Sequence, residues 1–314
     1  MKATIGKQIG KYALALTALL SSSAMANQCH LVRFADVGWT DITSTTAITS
    51  EVLEGLGYET STQLLSVPVT YNSLANNDID VFLGNWMPTM ASDVEKYMSE
   101  GSVDMVKVNL TGAKYTLAVN KAAFDAGIKN FSDIAKYKRE LKGKIYGIEP
   151  GNDGNRLIQK MIDTDAFGLK GFSLVESSEA GMLSQVARSI RRDQWIVFLG
   201  WAPHPMNSNF EIDYLDGGDD YFGPNFGGAV VHTNVRHGYI RECPNVGTLL
   251  TNIEFSLDME NEVMGAILDK GEDPRKAARE WLQANPSVLD TWLKGVSTKD
   301  GTVGLAAVKA HLNI

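Results

Sequence analysis

Three tryptophans in this 314-residue chain, Trp39, Trp86 and Trp201, stand one or two positions after a glycine, each beside the end of a run that reads as a strand. Tyr115 opens another such run, after Gly112-Ala-Lys. Trp195, Trp281 and Trp292 lie inside apolar periodic stretches and read as core. Rings gathered at strand mouths suit one ligand class above others. A quaternary ammonium has no N–H to donate, so hydrogen bonds cannot hold it. Aromatic faces can, through their negative quadrupoles and their apolar surface. Asp41, two residues after Trp39, would add negative charge and an acceptor, and Asn152 would add an amide.

Other chemistry is poorly represented. The chain contains no G-x-S-x-G, H-E-x-x-H, G-x-x-x-x-G-K-[ST] or G-x-G-x-x-G. Its five histidines, at 30, 204, 232, 237 and 311, are not spaced as metal ligands, so no metal and no cofactor is expected. Gly151-Asn-Asp-Gly154 precedes a helical stretch and reads as a turn with an Asn or Asp helix cap, since it lacks the Lys and Ser/Thr of a phosphate cradle. A formal charge of −8 argues against a sequence-independent grip on nucleic acid.

The elements that must position these residues alternate short β-rich runs with amphipathic stretches, an α/β pattern. Strands are predicted at 30–34, 60–65, 79–83, 114–119, 144–148, 172–175, 195–199 and 228–232. Helices are predicted at 44–56, 155–162 and 179–191, followed by a helical tail at 248–257, 261–268, 274–283 and 286–293. Ile79-Asp-Val-Phe-Leu-Gly-Asn-Trp86-Met-Pro88 is echoed by Trp195-Ile-Val-Phe-Leu-Gly-Trp201-Ala-Pro203. Both read as buried parallel strands that Gly84 and Gly200 release at the carboxyl end, where open α/β sheets present ligands. Two α/β lobes with matching loops suggest a cleft between them.

The first 26 residues stand apart. Lys2, Lys7 and Lys11 precede the apolar run 13–20, then three serines and Ala24-Met-Ala26. This is the pattern of a cleaved export signal, too short to span a bilayer. In an oxidising compartment the chain's two cysteines, Cys29 and Cys243, are expected to form a disulfide. That bond would place the mature N-terminus and a segment far down the chain in the same lobe.

Gly38-Trp39-Thr-Asp41, Gly84-Asn-Trp86-Met-Pro88, Lys114-Tyr115, Gly151-Asn152-Asp-Gly and Gly200-Trp201-Ala-Pro-His together resemble the periplasmic glycine betaine, carnitine and choline substrate-binding proteins of bacterial ABC importers. The resemblance covers essentially the whole chain beyond the signal. It implies a two-lobed, type II (Venus-flytrap) α/β substrate-binding protein, with a signal peptide at 1–26, lobe 1 at 27–113 and 227–314, and lobe 2 at 114–226. The chain would cross between the lobes near Tyr115 and near Gly227. By the same resemblance an aromatic cage falls on Trp39, Trp86, Tyr115 and Trp201, and hydroxyl-reading groups fall on Asp41 and Asn152. The implied function is non-enzymatic: a monomeric periplasmic receptor binds choline and delivers it to an inner-membrane permease. A ligand carboxylate would be repelled by Asp41, so choline is expected to be preferred, with betaines weaker ligands and acetylcholine admitted only where the closed cleft leaves room for its acetyl group. A glycine betaine or carnitine receptor and an exported choline-ester hydrolase are the alternatives.

Overall fold

The structure, a computed structural model, describes residues 29–314. The expected export signal, residues 1–26, therefore lies outside the described residues. Among those described, no helix is long and apolar enough to cross a membrane.

Nine strands form one sheet: β1 (Leu31–Asp36), β2 (Glu59–Leu64), β3 (Val81–Met87), β4 (Val103–Asn120), β5 (Lys144–Tyr146), β6 (Ser173–Val175), β7 (Val197–Ala202), β8 (Ile212–Tyr214) and β9 (Gly228–Arg236). Their order is β2-β1-β3-β9-β4-β7-β5-β6, with β8 on β4. At one end β1 runs parallel to β2 and β3; at the other, β5 runs parallel to β6 and β7. The apolar runs of β1, β3 and β7 are buried, as expected of strands covered on both faces.

The two ends are joined through β4, which is three times the length expected for it. Its first part pairs antiparallel with β9, from Val103↔Arg236 to Lys114↔Gly228. Its last part pairs with β7, from Lys114↔Ala202 to Val119↔Val197. The partner changes at Lys114. The 103–113 stretch escaped the strand pattern because Asp104, Asn109 and Gly112 interrupt its alternation. Three register shifts against β9 absorb those interruptions.

Several boundaries differ from the sequence expectation. The first helix begins a turn early, at Thr40 rather than 44, and so carries Asp41 in its first turn. In the tail, Leu257 starts a helix instead of ending one, because the Ser256 hydroxyl caps the Met259 N–H. Gly84 and Gly200 do not release their strands. Both strands run on through the following tryptophan, and the glycines leave room for Ile42 and Ala118, which an added Cβ would meet at 2.6 and 2.8 Å.

Cys29 and Cys243 are joined in a disulfide across Cα atoms 5.5 Å apart. It ties the segment before β1 to the helix start after β9. The tail helices pack on the Thr40–Gly55 helix, where buried Glu51 pairs with Arg275 and Arg279.

Candidate functional site

Each expected ring reaches one cavity from a different element. After β1 the Asp36 carboxylate accepts from the Gly38 N–H at 2.7 Å and from the Thr43 hydroxyl at 2.7 Å. That turn sets Trp39 at the N-cap of the first helix. Trp86 lies near the end of β3. Tyr115 lies on β4 just past its change of partner, directly opposite Trp201 on β7. Ring centroids are 6.1 Å apart for Trp86–Tyr115 and 6.3 Å for Tyr115–Trp201, with interplanar angles of 62° and 76°. These are the edge-to-face arrangements aromatic quadrupoles prefer. All four rings are 4–6 % exposed. Together with Asp41 and Asn152 they line one hollow. Ile148 and Asp153, which the sequence did not single out, complete the lining.

The polar groups are unevenly satisfied. The Trp86 indole N–H donates to Asp41 Oδ2 at 3.1 Å, while Asp41 Oδ1 accepts nothing. Burial, reinforced by the negative charge of Glu179, pushes the Asp41 carboxyl up to about 8, although the Trp86 bond opposes the rise. Asn152 is the N-cap of the Asp153–Asp163 helix: its Oδ1 accepts from the Asn155 N–H at 3.1 Å and from the Tyr115 hydroxyl at 2.8 Å. Gly154 makes the second bond possible, since a Cβ there would sit 2.1 Å from that hydroxyl. Asn152 Nδ2 donates to Asp153 Oδ1 at 3.1 Å. Asp153 Oδ2, fully buried, has no hydrogen-bond partner. Burial raises this carboxyl to about 6, with the Thr89 hydroxyl and Arg156 pulling it partly back.

Around the cavity, acids from one half of the sheet hold groups of the other. The Trp39 indole N–H donates to Glu149 at 2.9 Å, and burial raises the Glu149 carboxyl to about 7. Glu179 accepts from the Thr40 N–H at 2.9 Å and the Thr40 hydroxyl at 2.5 Å, and contacts His204 Nε2 at 3.3 Å. His204 packs edge-on against Trp201, 5.0 Å between centroids. Neither Glu149 nor Glu179 carries a local sequence signal, because both act on residues more than a hundred positions away. Asp153 could have been found, as the neighbour of Asn152 in the cap motif.

The result is a ring-walled hollow lined by two carboxyls and no basic side chain. Such a site favours a cation with apolar substituents and disfavours an anion. Among the described residues no group of His, Cys, Asp or Glu could hold a metal ion.

Comparison with known proteins agrees with this chemistry. Residues 30–284 match the model for the substrate-binding domain of ABC-type glycine betaine transport systems, OpuAC. A solved ABC-transporter choline-binding protein in complex with choline is 64% identical, with a TM-score of 0.90, over 91% of this chain and 99% of that one. Its unliganded semi-closed form, at the same identity and 91% and 100% coverage, gives a TM-score of 0.85. The glycine betaine/carnitine transport binding protein GbuC of Listeria monocytogenes serotype 1/2a (strain 10403S) is 27% identical over 208 residues, which span 66% of this chain and 64% of that protein. The fold is thus the mixed α/β fold of periplasmic substrate-binding proteins, and the chain belongs to the family of ABC-type glycine betaine substrate-binding domains.

Proposed function

We propose that this protein captures choline in the cavity between the two halves of its sheet and hands it to an ABC importer. The observation that carries this reading is the convergence of Trp39, Trp86, Tyr115 and Trp201 with Asp41 on one hollow. The trimethylammonium group would sit among the ring faces, each desolvated contact contributing about 2 kcal/mol. The choline hydroxyl would turn toward Asp41 and Asn152. The 64% identity to a choline-binding protein supports the same ligand. In this reading the chain has no catalytic role and acts as an exported, periplasmic monomer whose signal ends at Ala26.

The lobes would be 27–113 with 227–314, and 114–226, hinged where β4 changes partner and β9 begins. Trp39, Asp41 and Trp86 would form the first contact surface, and closure would add Trp201 and Asn152 and exclude water. The permease would receive the closed form.

Calorimetry with choline tests the cage. Trp86→Ala and Trp201→Ala should each weaken binding about 30-fold, the factor for ~2 kcal/mol. Unchanged affinity in both variants would refute the cage. A betaine or carnitine receptor is the second reading, favoured by the family match and by GbuC. Asp41→Asn separates the two: a choline receptor should lose choline affinity and tolerate betaine better, and the reverse outcome would favour the second reading.

A further inference from the structure

Asp153 opens its helix as the first residue after the Asn152 cap, and a carboxylate there is also favoured by the helix dipole. That role alone would be served by an exposed side chain, yet Asp153 is fully buried and lines the cavity. One of its oxygens is occupied by Asn152 Nδ2; the other has no hydrogen-bond partner of good geometry, although the Thr89 hydroxyl lies near enough to favour the ionised carboxyl. Across the cavity, on the other half of the sheet, Asp41 Oδ1 likewise has no hydrogen-bond partner. Two buried carboxyls on residues that line one hollow, each with an oxygen lacking a well-placed donor, are complementary to a ligand that brings both positive charge and a hydrogen-bond donor. Asn152 is poorly placed to read a ligand hydroxyl as an acceptor. Its Oδ1 already takes two donors, and only one N–H of its amide remains free of the bonds described.

We propose that Asp153 is a second ligand-reading carboxylate, which with Asp41 sets the preference for a quaternary ammonium ending in a donor over one ending in a carboxylate. This rests on the cavity being a quaternary-ammonium site, as proposed above. A ligand hydroxyl would donate to one of the two carboxylates while the cation lies between them. A ligand carboxylate would meet like charge on both sides wherever the two groups are ionised, in a place where water cannot screen it.

Three ligands separate this role from a structural one: choline, glycine betaine, and tetramethylammonium, which has neither hydroxyl nor carboxylate. Their affinities are measured by calorimetry for the parent and for Asp153→Asn, which keeps shape and can keep the bond from Asn152. Choline should lose about tenfold or more relative to tetramethylammonium, and betaine should gain by a similar factor. An equal loss for all three ligands, or no change for any, would overturn the role. Asp153→Ser, a residue suited to a helix start, supplies the same ratios should the Asn variant not fold. If the parent binds none of the three, the cavity reading fails, and this assignment with it. If the parent binds choline and the ratios stay fixed, only the assignment fails.

Discussion

Asp41, Asp153 and Glu149 are carboxyls whose burial raises them to about 8, 6 and 7. Each therefore holds its proton in the empty folded protein at a pH where the unfolded chain has released it. The unfolded state binds fewer protons across this range, so stability falls as pH rises from about 4 toward 8. Unliganded protein should accordingly melt higher at pH 5 than at pH 8, which thermal scans would show. A bound cation reverses the effect, since it favours the ionised forms of the two carboxyls that line the cavity. Choline binding should release protons, and its affinity should rise between pH 6 and 8.5, by roughly tenfold per pH unit at most for each proton released. Calorimetry in two buffers of different ionisation enthalpy measures the protons directly. The kinds of residue behind this behaviour were visible in the sequence for Asp41. Their protonation was not, because it depends on burial and on Glu179, supplied by a helix on the far half of the sheet.

Elements place these groups through a few local devices. The Gly151-Asn-Asp-Gly154 turn was legible as a helix cap, and Asn152 does cap the Asp153–Asp163 helix. The same amide is bonded to Tyr115 only because Gly154 has no side chain. Gly154→Ala should push the Tyr115 ring out of place. The expected result is choline binding at least several-fold weaker and a melting temperature lower by a few degrees, even though helix propensity alone would favour alanine. An unchanged ring position would leave both at or above the parent values. The echo between β3 and β7 was likewise legible, and each strand carries a tryptophan one residue before its end, followed by a cis proline two positions on. The expectation that glycine ends the strands overlooked packing, because a strand glycine can serve a neighbour's side chain as readily as a turn.

At the scale of the whole molecule, side-chain contacts span the halves, among them Trp39 to Glu149, Thr40 to Glu179, Asn209 to Asp269, and the Asp93–Arg156 ion pair. The Asp93 side chain is 8 % exposed in that pair, and burial raises its carboxyl despite Arg156. Arg156→Ala would leave a buried acid without its cation and so disfavour the closed arrangement proposed for the two lobes. Choline affinity should drop several-fold at pH 7.5. Small-angle scattering of the unliganded variant should show a larger radius of gyration than the parent. The disulfide acts on the unfolded chain instead. It closes a loop of 214 positions, so reduction should lower stability by up to about 5 kcal/mol, read as a lower denaturation midpoint in dithiothreitol.

From its residues alone this chain declared an α/β pattern, a pair of cysteines suited to bonding, and aromatic and acidic side chains at strand mouths. Those are matters of residue type and short-range periodicity. Only the tertiary structure decided that β4 would run through both halves, that Asp153 would share the hollow with Asp41, and which carboxylate oxygens would be left without donors. Hydrogen-bond satisfaction and burial arise from contacts such as Thr40 with Glu179, 139 positions apart, and no local window of sequence contains both partners.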